Sequence, residues 1–394
     1  MVANDVYYVG ANDSERRIFD QLIPLPDGTT YNSYIIKGSQ KTALIDTVDP
    51  TKKQVLIDNL KKLNITKIDF IVAHHGEQDH SGCISDVLNY YPMAKVVTNQ
   101  KCKTELMDLL LIKDEKFFVI EDGQEISLGN KTLKFLFTPW VHWPETFVTL
   151  DIEDKVLFTC DFLGSHFSFN SQEGLFTNDK DVIYEPAKRY YAEIMSPFRN
   201  NIRKNIDIVE SLNFDIIAPS HGPLYNGKDF IKFIINCYKE WSSEEVKNKV
   251  LITYVSMHGS TEKIIEYFTQ SLLKKGVIVK SFDLSVADVG EIAMELLDSA
   301  TAVIGTPTVL TGPHPSAVFA AYLIRALRPK TKFLTVIGSY GWGGKIIDFL
   351  TNMFSNLKAE ILDPVLVKGY PKDKDFDLLD ELADKIARKH KALN

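Results

Sequence analysis

Two hydrophobic rhythms divide the chain. Before about residue 248, short apolar runs dominate, at 6–9, 34–37, 42–46, 70–73, 95–98, 131–138, 147–152 and 155–160. Gly, Asp and Asn turns separate many of them, and the helical period predicts helices at 51–63, 81–91 and 199–212. This reads as mixed sheets covered by helices. Beyond it, apolar runs at 250–255, 277–282, 302–305, 333–338 and 361–367 alternate with helical stretches near 261–274, 290–298, 316–327 and 344–356. A last helix is predicted at 375–391. Near-continuous apolar runs suit parallel strands buried on both faces. Five of them joined by crossover helices predict a doubly wound α/β domain. The expected domains are 1–248 and 249–394, with the polar stretch Trp241-Ser242-Ser243-Glu244-Glu245 as the junction.

Length and composition narrow the class. The 394 residues, at roughly 150 per domain, fit two or three domains, and 45% hydrophobic with 25% charged residues is ordinary globular usage. A net charge of -7 gives no general attraction for phosphate backbones, so no nucleic-acid partner is expected. The opening Met1-Val2-Ala3-Asn4-Asp5 lacks the regions of a signal peptide, and no apolar run is long enough to span a bilayer. Cys83, Cys102, Cys160 and Cys237 are far apart and form no CxxC pair. That excludes a sequence-evident zinc ribbon, rubredoxin-type iron centre or disulfide framework. The expectation is a cytoplasmic protein without a membrane partner.

The densest chemistry is His74-His75-Gly76-Glu77-Gln78-Asp79-His80, directly after the apolar run 70–73 and opening into a helix at Ser81. Such a loop can surround one or two ions. The plainer alternative is a polar helix entry in which Asp79 caps the helix and the histidines are incidental. Against it, further ligand types recur at strand ends: His142, Asp161 after 156–160, and His221 after 216–220. Each alone reads as structural; together they point to a metal site.

The second half carries a different signal. The run 250–255 leads into Ser256-Met257-His258-Gly259-Ser260-Thr261 and then a helix. Small hydroxyl residues and a Gly at a strand-to-helix turn let N–H and O–H groups wrap a phosphate, with the helix dipole assisting. The loop is neither GxxxxGK[ST] nor GxGxxG, which argues against a nucleoside triphosphate or a dinucleotide fingerprint. A plain N-capped helix is the alternative. Two further strand-end segments, Pro307-Thr308-Val309-Leu310-Thr311-Gly312 and Ser339-Tyr340-Gly341-Trp342-Gly343-Gly344, would converge on the same switch point. Gly-rich backbone with an aromatic pair suits a flat ring.

In that order, the HxExDH loop, His142, Asp161 and His221 resemble the ligand set of the metallo-β-lactamase-like fold, in the Glu77 variant found in flavodiiron proteins. The second half resembles a flavodoxin, and together the resemblances cover nearly all of the chain. They imply an α/β protein: an N-terminal metallo-β-lactamase-like αββα sandwich, then a flavodoxin-like doubly wound five-stranded parallel sheet. They imply two Fe ions, one on His75, Glu77 and His142, the other on Asp79, His80 and His221, with Asp161 bridging. They also imply FMN, its phosphate at 256–261 and its ring flanked by 307–312 and 339–344. His166 and Tyr190 are candidates to stand beside the irons, although aromatic core is the plainer reading of Tyr190-Tyr191. His74 is expected to be structural and His390 solvated.

The activity implied is electron transfer from an external donor through FMN to the diiron centre, reducing dioxygen to water and/or nitric oxide to nitrous oxide. Rubredoxin or a reduced deazaflavin is the implied donor, and a head-to-tail homodimer or dimer of dimers the implied assembly. Three carboxylates and four imidazoles without thiolate favour iron or manganese, with zinc the alternative. A zinc metallo-hydrolase with a regulatory flavodoxin domain, and a non-catalytic flavin carrier, stay open as other functions. Two positions depart from the family: Asp20 follows Phe19 where many members carry His, and His258 stands where several carry Trp.

Overall fold

The computed structural model describes residues 1–169 and 174–393. The chain divides into two compact units, Met1–Ser242 and Ser243–Asn394. Lys247 is already paired with Ser299 in the second unit's sheet.

The first unit stacks two sheets. One has six strands in the order Val6–Tyr8, Tyr34–Lys37, Thr42–Ile45, Phe70–Val72, Lys95–Thr98, Phe117–Val119. The other has seven, in the order Glu125–Ser127, Thr132–Phe137, Phe147–Asp151, Val156–Cys160, Ile216–Pro219, Leu224–Asn226, Phe176–Thr177. Successive residues of a strand point to opposite faces, and here both faces are buried. Ile35, Leu44, Ile71 and Val96 enter a core with Leu56, Leu60, Val87 and Leu106 of the helices. Their neighbours Tyr34, Ile36, Ile45, Val72 and Val97 meet Phe135, Phe147, Phe158 and Ala218 of the second sheet. Helices Lys180–Tyr190 and Arg199–Glu210 each pack against Lys228–Ser242, which also packs on the strand Leu224–Asn226. The layers are therefore αββα.

The second unit is a parallel sheet in the order Ile278–Asp283, Lys247–Tyr254, Ser299–Val309, Phe333–Tyr340, then a broken fifth strand. That strand, expected as one run over 361–367, is two pieces, Glu360–Ile361 and Val365–Lys368, both parallel to Phe333–Tyr340. Pro364 sits in the gap and has no N–H to offer a ladder. The chain order of strands, 2-1-3-4-5, makes a doubly wound sheet with its switch point at the first strand.

Candidate metal centre and flavin cradle

In the first unit, every ligand candidate lies where a strand ends. His74 to His80 follow Phe70–Val72, His142 lies between Thr132–Phe137 and Phe147–Asp151, Asp161 follows Val156–Cys160, and His221 follows Ile216–Pro219. The helix after the first loop starts earlier than sequence predicts. Gln78–Ser81 is already helical, its N-cap is Glu77 without a side-chain cap bond, and Asp79 lies inside the first turn. Asp79 is therefore not the cap, and its carboxylate is free to turn inward.

All seven predicted positions come together. Ligand atoms of His75, Glu77, His142 and Asp161 lie within 4.8 Å of one another, and so do those of Asp79, His80 and His221. Asp161 joins the two groups. Its Oδ2 is 2.9 Å from His75 Nε2 and 3.3 Å from His142 Nε2, while its Oδ1 is 3.1 Å from His80 Nε2 and 3.4 Å from His221 Nε2. Within the groups, His142 Nε2 is 3.1 Å from Glu77 Oε2, and His221 Nε2 is 3.0 Å from Asp79 Oδ2.

The electrostatics of this set call for cations. Asp79, Asp161, His75, His80 and His221 are buried, and the ion partners of these carboxylates are imidazoles. Burial opposes ionisation of Asp79, but the His80 charge and the His221 hydrogen bond hold its carboxyl down at about 2. Burial likewise opposes ionisation of Asp161, and His80 and His75 outweigh it, holding the carboxyl well below the usual range. Burial disfavours charging His142, yet the hydrogen bonds it donates to Asp161 and Glu77 push it up to about 10. Oδ1 of Asp79 and Nδ1 of His80 are fully buried without a hydrogen-bond partner. Orphaned, inward-facing donor atoms of this kind carry a cost of roughly 1–3 kcal/mol each, which metal coordination removes. The residues fit a pair of ions.

Several supporting residues carry no local sequence signal. His74, as expected, stands apart from the ligands: its Nδ1 lies 2.6 Å from Asp46 Oδ2 and its Nε2 2.8 Å from Thr149 Oγ1. Glu145 Oε1 accepts the Gly76 N–H at 3.0 Å, and Asn99 Nδ2 donates to the Glu145 carbonyl. The His221 loop is held by Asn32, whose Nδ2 donates to the carbonyls of Pro219 and Gly222 at 2.8 Å each. Thr30 O lies 2.6 Å from His221 Nδ1, which turns Nε2 towards the carboxylates. His166 is buried beside them, its Nδ1 2.9 Å from Thr29 Oγ1 and its ring 4.9 Å from those of His221 and Tyr190. Burial and the His221 charge hold His166 well below the usual range, so it is a neutral wall residue. Tyr190 is also buried at this wall, its ring 6.0 Å from that of His221. Asp20, the departure noted above, lies near Glu77; burial, then the Glu77 and Asp79 charges, push it up to about 6.

In the second unit the three predicted segments also converge. One cavity is lined by Ser256, Met257, His258, Ser260, Thr261, Pro307, Thr308, Ser339, Tyr340, Gly341 and Gly369. Gly259, at φ +82°, is the N-cap of helix Ser260–Lys274, whose first residues Ser260 and Thr261 line the cavity. Ser256 Oγ accepts the Glu262 N–H at 3.2 Å, and Thr261 Oγ1 lies 2.9 Å from Ser339 Oγ, tying the first loop to the third. The second segment is not the open loop expected from sequence. Ser299–Val309 stays extended to Val309 and turns back through Leu310 and Thr311, at φ +48° and +67°, so that Gly312–Pro313 pairs with Thr308 and Val309. Gly344 closes against that hairpin: a Cβ there would meet Thr308 Cγ2 at 2.5 Å. Met257, on the cavity wall, is exposed, and so are Leu310 and Trp342 of the other two segments, which are not among its lining residues. A cradle of hydroxyls at a helix N-terminus, with Met257 on its wall, fits a phosphorylated flat ring, so these residues fit FMN.

The expectation that His390 is solvated also fails. His390 is buried, its Nε2 2.7 Å from Thr301 Oγ1 and its Nδ1 2.8 Å from Asn248 Oδ1.

Comparison with known proteins agrees with both halves. The family described as ODP family beta lactamase matches residues 29–222, and the flavodoxin family matches 252–379. A nitric oxide reductase from Moorella thermoacetica is 34% identical, over 98% of this chain and 97% of its own. A flavo-diiron protein from Clostridium acetobutylicum is 30% identical over 91% of each. The solved structure of rubredoxin oxygen:oxidoreductase from Desulfovibrio gigas superposes with a TM-score of 0.92 at 29% identity, covering 99% of this chain and 98% of that one. With a metallo-β-lactamase-like unit bearing a two-ion ligand set and a flavodoxin-like unit bearing an FMN cradle, the chain belongs to the flavodiiron proteins, oxidoreductases that carry FMN and a diiron centre.

Proposed function

We propose that this chain takes electrons from a separate donor at the flavin cradle and delivers them to the metal site, where dioxygen is reduced to water or nitric oxide to nitrous oxide. The observation that carries it is Asp161, which places one oxygen in each of two ligand groups. Bound there, two irons supply the redox chemistry and FMN the one-electron steps between donor and metal.

In this reading His75, Glu77 and His142 hold one iron, Asp79, His80 and His221 the other, and Asp161 bridges. The Thr30 carbonyl and the Thr29 hydroxyl orient the imidazoles of His221 and His166. Phe19, His166 and Tyr190 exclude bulk water on one side, the Phe19 ring lying 5.0 Å from that of His166. In the cradle, Ser256, Ser260, Thr261 and the N–H groups after Gly259 hold the phosphate. Met257, His258, residues 307–312 and residues 339–344 border the ring. The donor proposed is a separate one, rubredoxin or a reduced deazaflavin. A head-to-tail homodimer, alone or paired into a dimer of dimers, is the assembly proposed. Among the described residues, no helix is long and apolar enough to cross a membrane.

The deciding experiment is anaerobic single-turnover mixing of the fully reduced, metal-analysed protein with dioxygen and, separately, with nitric oxide. Reoxidation of flavin and iron with water or nitrous oxide as product supports the proposal. Purification with zinc and no iron after iron-replete anaerobic expression sinks it in favour of hydrolysis. Parallel assays with reduced rubredoxin and reduced deazaflavin assign the donor.

A further inference from the structure

The wall behind Asp161 continues into a file of oxidisable rings. Tyr190, at the end of helix Lys180–Tyr190, has its ring 6.0 Å from that of His221 and is followed directly in the chain by Tyr191. Tyr238 is 5.5 Å from Trp241, ring centre to ring centre, and Trp241 is 5.8 Å from Tyr184. Tyr191 sits alongside, 5.1 Å from Tyr238 and 5.4 Å from Trp241. Tyr190, Tyr191, Tyr238 and Trp241 are buried, whereas Tyr184 is 36% exposed. The file thus runs from the metal site to solvent within one unit.

Packing alone does not account for these side chains. The hydroxyls of Tyr191 and Tyr238 and the indole N–H of Trp241 are buried without a hydrogen-bond partner. Each such group carries a desolvation penalty that phenylalanine in its place would avoid. What tyrosine and tryptophan offer and phenylalanine does not is one-electron oxidation at accessible potentials. The π-helical turn Tyr191–Met195 directly follows the helix ending at Tyr190, and such turns concentrate at functional sites.

We propose that Tyr190, Tyr238, Trp241 and Tyr184, with Tyr191 beside them, form an electron-transfer chain that carries a one-electron oxidising equivalent from the metal site to the surface. The proposal rests on the reading of that site as a redox-active diiron centre. When the site takes up dioxygen with too few electrons in store, Trp241 supplies one electron, with the rings of Tyr238, Tyr191 and Tyr190 as the bridge to the site and no tyrosine proton moving in this step. Trp241 holds the vacancy as an indole radical cation that keeps its N–H proton, which suits a site without an acceptor. Tyr184 then gives an electron to Trp241 and its hydroxyl proton to water. A thiol reductant in solution restores the hydrogen atom to Tyr184. The net change is one thiol oxidised to a thiyl radical, one proton released and one electron delivered to the site, with no ligand consumed.

The test uses the full-length, iron-loaded protein, partly reduced and mixed with dioxygen in the presence of a nitroso spin trap. Radicals are followed by freeze-quench electron paramagnetic resonance, and adducts are mapped by peptide mass spectrometry. The expected result is a trapped adduct at Tyr184. That adduct is lost in Trp241→Phe, with oxidation of Tyr190, His166 or His221 gained instead. Zinc-loaded protein gives no adduct. Should Trp241→Phe fail to fold, the surface variant Tyr184→Phe decides, by moving the radical signal from tyrosyl to tryptophanyl. Persistence of the Tyr184 adduct in Trp241→Phe overturns the chain, as does an iron-loaded, oxygen-consuming protein with no adduct on any of these rings. Failure to bind iron at all overturns the diiron reading itself, and the chain with it.

Discussion

Asp161 and Glu77 differ in what their loss leaves behind. With Asp161→Ala, both ligand groups lose an oxygen at once, and four imidazoles face each other with one compensating charge fewer. Iron content should drop below one per chain. Activity should fall by more than the roughly 10–100-fold that loss of a hydrogen-bond partner outside the ligand set costs. Glu77→His keeps the ligand count but exchanges a hard oxygen for nitrogen, so zinc should load in place of iron and redox turnover should disappear. Metal analysis with steady-state oxygen and nitric oxide consumption checks both. Normal iron loading with full oxidase activity in Glu77→His would contradict the ligand assignment. His390 makes a separate residue-scale case. Burial holds it down at about 4, below the ordinary histidine value. A depressed histidine is neutral when folded and protonated sooner when unfolded, so its contribution is complete above pH ~6.5 and is lost as pH falls towards ~4. His390→Leu should start less stable at pH 7.5, having lost the Thr301 and Asn248 contacts, yet lose less on acidification. Parallel declines for both proteins in denaturant titrations between pH 6.5 and 4 would refute the linkage.

At the scale of elements, the cradle depends on two strand ends touching. Gly344, at φ +159°, leaves no room for a side chain against Thr308. Gly344→Ala must therefore push the hairpin at Leu310–Thr311 away from the third loop. Strain of about 1–3 kcal/mol should appear as FMN affinity weakened about 5–100-fold, read by flavin fluorescence on titrating apoprotein, with iron content unchanged. Elements also explain what sequence could reveal. Ligands at strand ends were legible because each follows an apolar run: 70–73 before His75, 156–160 before Asp161, 216–220 before His221. The residues that hold them were not, since Asn32 acts on a loop 187 positions away and Asp46 on one 28 away. Helix Gln100–Leu110 was missed because only Cys102 and Leu106 of it are buried, too few to set a period. The second segment of the cradle was read as a loop because no Asn-Gly or Asp-Gly marks its turn; Leu310 and Thr311 take the positive φ instead. His390 was misread although a signal existed. Leu379, Leu382, Ala383, Ile386 and His390 fall on one helical face, and the basic neighbours Arg388, Lys389 and Lys391 masked it.

At the scale of the whole molecule, the question is how electrons cross between two units with separate cores. If transfer runs between chains of a head-to-tail dimer, the fragment 1–248 should bind iron but receive no electrons, and 249–394 should bind FMN yet reduce dioxygen only slowly. A mixed dimer isolates the route. One chain carries His80→Ala and His221→Ala, which strips the second ligand group, and keeps its cradle. The other carries Ser260→Arg and Thr261→Ala, which fill and unpair the phosphate end of the cradle, and keeps its metal site. In the heterodimer the intact flavin site and the intact metal site belong to different chains. Transfer between chains brings that pair together and restores one working site, whereas transfer within a chain leaves every site short of one cofactor. Differently tagged chains, co-expressed and purified through both tags, yield the species needed, and each mutant homodimer should be inactive. The expected outcome is recovery of about half the wild-type turnover per dimer, the statistical share for one restored site of two. An intact heterodimer with FMN and iron both bound and no turnover would place the transfer within a single chain.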